Sequence, residues 1–188
     1  MSRNVEIKAR VSDSGEVRRA LSGIVGDEAP QMLEQTDTYF DFKRGRLKIR
    51  ETNGTSRRAE LIFYSRPDSS LPCVSDYEIF RVANAEALKT ALSKAHGVKS
   101  VVRKVREVYL LEDVRIHLDE VDGLGSFLEI EACLTCDDPE CLGEKKVNEL
   151  LAALNIDHGS LVEGSYGDLV EQTGGFGPRQ LPLEEECS

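Results

Sequence analysis

From Asn4 to Val11 polar and apolar residues alternate without a break. Asn4, Glu6, Lys8 and Arg10 fall on one face, and Val5, Ile7, Ala9 and Val11 on the other. A period of two predicts a strand with one polar and one apolar side. Ser12 or Asp13 then caps a helix through about Val25, whose apolar stripe is Val17, Leu21 and Ile24. Further strands are predicted over residues 33–41, 45–51, 58–66 and 75–82, with a turn at Arg44-Gly45. A second helix runs from about Ala85 to His96, with Leu88, Ala91 and Leu92 inward and Gly97 past its end. Strands near 99–111, 113–120 and 126–134 follow, and helices at about 139–154 and 160–171 close the domain.

Eight strands with a few helices predict an α+β fold, in which an antiparallel sheet closes, or nearly closes, into an eight-stranded barrel with flanking helices. The charge on those strands is unusual. Arg46, Lys48 and Arg50 share a face opposite Leu47 and Ile49, and Lys104 shares a face with Arg106. Arg115, His117 and Asp119 do the same on the next strand, as do Glu129 and Glu131 opposite Leu128, Ile130 and Ala132. If helices cover the apolar faces, the charged faces must line an interior.

Length and composition narrow the setting. The 188 residues, 40% hydrophobic and 31% charged, suit one folded domain over about residues 1–172. The segment TGGFGPRQLPLEEECS, residues 173–188, reads as a disordered acidic tail. No run approaches the roughly 18 apolar residues of a membrane span, and the first residues lack the apolar core of a signal peptide. A cytoplasmic protein without membrane partners is expected. Five cysteines do not make a disulfide framework, and Cys133-x2-Cys136-x4-Cys141 has no matching second pair, so reduced thiols are expected rather than a zinc knuckle.

The net charge of -10 divides unevenly, with +4 over residues 1–115 and -14 over residues 116–188. A uniformly basic surface for nucleic acid is disfavoured, but a local cationic pocket is not. Lysines and arginines converging from separate strands suit an oligophosphate, whose many oxygens match planar forks and point charges. The other reading of each strand is a solvated, salt-bridged face. Glu6, Glu78, Asp119, Glu129 and Glu131 either hold Mg2+ or Mn2+ beside that pocket or simply neutralise the arginines. Of the three histidines only His117, between Arg115 and Asp119, is placed to join a site. There is no phosphate-binding loop, dinucleotide-binding glycine pattern or serine nucleophile elbow.

Several segments in order resemble a known superfamily. They are Val5-Glu6-Ile7-Lys8-Ala9-Arg10, Gln35-Thr36-Asp37-Thr38-Tyr39-Phe40-Asp41 and Arg46-Leu47-Lys48-Ile49-Arg50-Glu51, then Lys104-Val105-Arg106 and His117-Leu118-Asp119-Glu120-Val121. Leu124-Gly125-x-Phe127-x-Glu129-x-Glu131 and Gly164-Ser165-Tyr166 complete the set. Over residues 3 to about 171 the chain resembles the CYTH superfamily of triphosphate tunnel metalloenzymes, and within it the class IV adenylate cyclase-like branch.

The resemblance implies an eight-stranded tunnel that binds a triphosphate with one or two divalent metals. Glu6, Glu129 and Glu131 match its metal ligands. Lys8, Lys48, Arg50, Lys104, Arg106 and Arg115 match its phosphate cradle, to which Arg10 and Arg66 are added as candidates. Asp119 would be a supporting acid and Glu78 the acid of the fifth strand. Catalysis would centre on Glu6, Lys8, Arg106 and Asp119. Two positions depart from the pattern: Asn4 stands where Glu-x-Glu-x-Lys has its first glutamate, and Tyr64-Ser65-Arg66-Pro67 replaces a tyrosine-lysine pair.

The implied activity is Mg2+- or Mn2+-dependent hydrolysis of a small-molecule triphosphate. The alternatives are class IV-type cyclisation of ATP to cyclic AMP and pyrophosphate, and non-catalytic polyphosphate or nucleotide binding. Hydrolysis is preferred because no base-recognition pocket is legible in the sequence. A homodimer is one assembly this reading allows.

Overall fold

The alternating segments become eight strands, β1 (Ser2–Val11), β2 (Gln31–Phe40), β3 (Arg46–Asn53), β4 (Arg58–Ser65), β5 (Cys73–Arg81), β6 (Val98–Leu111), β7 (Val114–Val121) and β8 (Gly125–Leu134). Among the described residues four α-helices accompany them: α1 (Ser14–Val25), α2 (Ala85–His96), α3 (Glu140–Ala153) and α4 (Tyr166–Gln172). This is a computed structural model that describes residues 2–26, 28–135 and 137–174. The strands close into a barrel in the order β1-β5-β4-β3-β2-β6-β7-β8, every neighbouring pair antiparallel. The predicted barrel is present.

The main apolar core lies outside the barrel wall. Val5 and Ile7 of β1, Ile116 of β7 and Ile130 of β8 pack with Leu21 of α1 and Val147 and Leu151 of α3. A second cluster joins Tyr39, Val102 and Phe127 to Tyr166, Leu169 and Val170 of α4. Where helices cover the outer faces of strands such as β1, β7 and β8, alternation turns the other face into the barrel's interior.

Local signals explain the helix bounds. Asp13 caps α1, its Oδ1 accepting from the amides of Gly15 at 2.8 Å and Glu16 at 3.1 Å. Gly143 of α3 faces Val5 so closely that a Cβ there would lie 2.6 Å from Val5 Cγ2. Gly143→Ala is therefore expected to destabilise the fold by about 1–3 kcal/mol through overpacking. Denaturant unfolding checks this, and an unchanged midpoint would mean that α3 can shift off β1.

Two expectations need correction. The helix predicted over 160–171 begins only at Tyr166, after a 3-10 turn over His158–Ser160. Leu161 instead bridges to Ala9, and the Val162 amide donates to the Lys8 carbonyl at 2.9 Å, so this stretch extends β1's pairing. Ser165 and Asp168 then form a capping box that sets the true start. In α2, Ala91 is exposed and no residue is fully buried; the helix packs mainly on β2 and β3.

Among the described residues no helix is long and apolar enough to cross a membrane. Cys73, Cys133 and Cys141 are free thiols; Cys136 and Cys187 lie outside the described residues. So does the predicted tail, except for Thr173 and Gly174.

Candidate active site

The barrel encloses a cavity of about 450 Å³ lined by eight Lys or Arg side chains and four Glu. That volume suits a small-molecule ligand, and the charge selects an anionic one.

Two basic pairs are built alike. On β3, Lys48 Nζ donates to Asp37 Oδ2 at 2.9 Å, and Arg50 donates through Nε and Nη2 to the two oxygens of Asp37, both at 2.7 Å. On β6, Lys104 Nζ donates to Asp119 Oδ2 at 3.1 Å, and Arg106 donates to Asp119 at 2.6 and 2.5 Å. In each case the arginine sits directly across the strand pair from its aspartate, Asp37 against Arg50 and Arg106 against Asp119. The aspartates are 0% and 1% exposed, beneath the cations rather than facing the cavity. Bidentate pairing from below leaves each guanidinium oriented into the lumen. Burial would raise both aspartates, but Arg50 and Lys48 hold Asp37, and Arg106 and Lys104 hold Asp119, well below the usual carboxylate range.

Aromatic rings steady the lysines. Lys8 and Lys104 lie 4.2 and 4.7 Å from the centre of the Tyr166 ring, whose hydroxyl donates to Asp119 at 2.8 Å. Lys48 lies 5.1 Å from the Tyr39 ring and 5.5 Å from that of Tyr64.

Burial and the neighbouring Arg106 push Lys104 down to about 7, and burial with Arg50 pushes Lys48 down to about 8. A bound polyanion favours the ammonium forms, so both groups rise on binding. Tripolyphosphate binding is thus expected to take up protons between about pH 7 and 9, and affinity to fall as pH rises through that window. Calorimetry in buffers of different ionisation enthalpy reads the uptake, and Lys104→Arg should remove its lower-pH part. An enthalpy independent of buffer would reject the assignment.

The carboxylates gather four strands round the barrel from β3. Glu129 accepts from Lys8 Nζ at 2.5 Å and from Arg106. Glu131 accepts from Arg115 at 2.7 Å and from the Asn4 amide at 3.3 Å. Burial would raise both, but Lys8 and Arg106 hold Glu129, and Arg115 helps to hold Glu131, below the ordinary value. Burial pushes Glu6 up more than Arg66, 3.1 Å away, draws it down.

His117, Glu129 and Glu131 each offer a ligand atom within 4.8 Å of the others. His117 Nδ1 and Asn4 Oδ1 are buried without a hydrogen-bond partner. Two carboxylates and an imidazole converging at one wall, with Asn4 beside Glu131, fit a divalent cation.

The predicted site residues separate into groups. Glu6, Lys8, Lys48, Arg50, Arg66, Lys104, Arg106, Arg115, Glu129 and Glu131 all line the cavity. Asp119 supports from beneath. Arg10 is exposed, donating to the Leu124 carbonyl at 3.2 Å and stacking on Phe127, so it lies beyond the end of the cavity. Arg46 is drawn to Asp168 at 2.8 Å and to Asp68. Glu78 lies between Tyr77 and Ile79, which line the cavity, and so belongs to the opposite face. Arg66 also donates to the Gly164 carbonyl at 2.5 Å, which ties it to the loop before α4.

Sequence reasoning gave no role to Asp37, Tyr39, Tyr64 or Tyr166. The signal for Asp37 is its register opposite Arg50, which exists only once β2 and β3 are paired.

The model of the CYTH domain family matches residues 2–166. A Methanocaldococcus jannaschii protein named "Putative adenylate cyclase" is 30% identical over 175 residues, spanning 88% of this chain and 97% of the relative. The PH1012 protein from Pyrococcus horikoshii has the same fold at a TM-score of 0.78 and 24% identity, with 88% of this chain and 98% of that one covered. A Hippeastrum protein named "Putative adenylyl cyclase" and described as having a dominant triphosphatase activity superposes at 0.59 and 19% identity, covering 95% and 98% of the two chains.

Proposed function

The chain belongs to the CYTH domain family, and on that premise we propose that it is a divalent-metal-dependent enzyme hydrolysing a small-molecule triphosphate. The observation that carries this reading is the pair of aspartate-backed Lys–Arg sets, Lys48 with Arg50 and Lys104 with Arg106, in one cavity with Glu129 and Glu131.

The opposite charges of the cavity hold one another. Lys8 and Arg106 share Glu129, Arg115 holds Glu131, and Arg66 holds Glu6. A metal–triphosphate offers each set a new partner, so the pairs can exchange without stranding a buried charge. Glu129 and Glu131 would hold the metal, whose chemistry there would be neutralisation of phosphate oxygens and activation of a nucleophile. Lys48, Arg50, Lys104 and Arg106 bind the phosphoryl oxygens and stabilise the charge that develops as a bridging P–O bond breaks. Lys8, held between Glu129 and Tyr166, adds positive charge beside the same oxygens, and Glu6 orients the attacking water. Asp119 acts by positioning Lys104 and Arg106.

A second reading has its own observation. Ile62, Ile79, Val108 and Leu110 give the cavity an apolar lining. Leu110 pairs with Arg115, and Arg115 with Glu131, so this mouth adjoins the carboxylate wall. An organic group such as adenine could rest there while its phosphates reach the basic pairs, which supports cyclisation of ATP. Product analysis with ATP and tripolyphosphate, each with Mg2+ or Mn2+, decides. Orthophosphate release supports hydrolysis, whereas cyclic AMP with pyrophosphate overturns it. Tight binding without turnover leaves a polyphosphate or nucleotide binder.

A further inference from the structure

His117 is 5% exposed on β7 and directly faces Glu129 across the β7–β8 pair. Its Nδ1 stands 3.4 Å from Glu131 and 3.8 Å from Glu129, yet forms no hydrogen bond. Leaving a buried polar atom unpaired costs about 1–3 kcal/mol. Asn4, 2% exposed, is in the same condition: its Nδ2 donates to Glu131 Oε2 at 3.3 Å, while its Oδ1 has no partner. Both residues line the cavity beside the two glutamates. An acidic cluster alone would carry little, but two buried polar atoms without partners beside it call for an electrophile.

We propose that His117 is a metal ligand of this site through Nδ1, together with Glu129 and Glu131 and with Asn4 Oδ1 facing the same ion, so that the site prefers a borderline cation such as Mn2+ or Co2+ over Mg2+. The proposal rests on the reading of the cavity as a metal-dependent triphosphate site and adds which cation it takes. Ligand atoms about 2.1 Å from one ion stand at most about 4.2 Å apart, and the cluster already lies within 4.8 Å. A shift of a few tenths of an ångström closes the site.

The donor set determines the preference. Mg2+ takes oxygen ligands and keeps its waters, whereas imidazole suits Mn2+, Co2+ and Zn2+. Asn4 removes a negative charge where the Glu-x-Glu-x-Lys pattern has a glutamate, which weakens the site for a hard ion. The amide also does what a carboxylate cannot, donating to Glu131 and holding it toward His117. Glu6 leans instead to Arg66 and stands outside the cluster of mutually close ligand atoms.

The test uses the metal-stripped full chain without substrate. Pulsed electron paramagnetic resonance on the Mn2+-loaded protein is expected to show coupling to a directly bound nitrogen. Displacement titrations should give a Kd for Mn2+ at least about tenfold below that for Mg2+. His117→Gln should abolish the nitrogen coupling and weaken Mn2+ at least about tenfold, with Mg2+ changed less than about threefold. No nitrogen coupling in the wild-type protein overturns the proposal, as does no Mn2+ binding, or equal loss of both cations in the variant. Should His117→Gln fail to fold, the wild-type nitrogen signal decides alone. Turnover with Mg2+ but without nitrogen coupling would sink this inference and leave the functional reading. Nitrogen coupling without turnover would do the reverse.

Discussion

Glu129→Gln is expected to lower kcat/KM for the metal-dependent reaction by at least about 10³-fold, since it removes a charged ligand from the metal wall while keeping the side chain's shape. Glu129 is the hub of the cavity, taking Lys8 Nζ at 2.5 Å and Arg106 together. Arg106 keeps its bidentate bond to Asp119 in the variant, so the wall should hold its shape. Lys8, only 4% exposed, loses its ion-pair partner and keeps the Tyr166 ring. The variant should separate binding from catalysis. With one negative charge fewer in the lumen, tripolyphosphate without metal should bind more tightly than to the wild type, while turnover falls. Steady-state kinetics with metal and calorimetry without it give the two readings. Activity within tenfold of the wild type would exclude Glu129 from the metal site.

Asp37→Asn should have the largest effect on folding. Its carboxylate is fully buried and is the shared counter-ion of Lys48 and Arg50. Removing one partner of a buried pair leaves an uncompensated charge, at a cost of about 3–5 kcal/mol. For a chain of this size that lowers the melting temperature by roughly 10 °C. The same change should enlarge the stabilisation by tripolyphosphate, because the bound anion then supplies the negative charge that Asp37 supplied. Thermal unfolding with and without tripolyphosphate measures both. A variant as stable as the wild type would mean that Lys48 and Arg50 find other partners. An unchanged ligand response would place the anion away from β3.

Much of this site could be read from alternation alone. Lys48 with Arg50, Lys104 with Arg106, and Glu129 with Glu131 each share a face because a strand repeats every two residues, and all six line the cavity. The same rule put Arg10 with Lys8, yet Arg10 stacks on Phe127 near the β8 turn. A period of two says which side a residue takes, not how far along the barrel the cavity extends. Glu78 failed differently: it was grouped with the acids by type, while Tyr77 and Ile79 on either side of it hold the lumen face. Asp37 was beyond reach, since its partners lie on another strand, 11 and 13 residues away.

Alternating hydrophobicity was enough to specify strands with one apolar and one charged face, because burial of the apolar side stabilises the chain whatever that side meets. It could not say which charged groups would oppose each other. That depends on strand order and register, set by closure of β1 onto β8 and by helices α1 and α3 covering the outer wall. Closure turned scattered acids and bases into paired layers, with Asp37 and Asp119 beneath their cations and His117 against Glu129 and Glu131. Those pairings are the chemistry of the cavity, and they exist only where the strands meet.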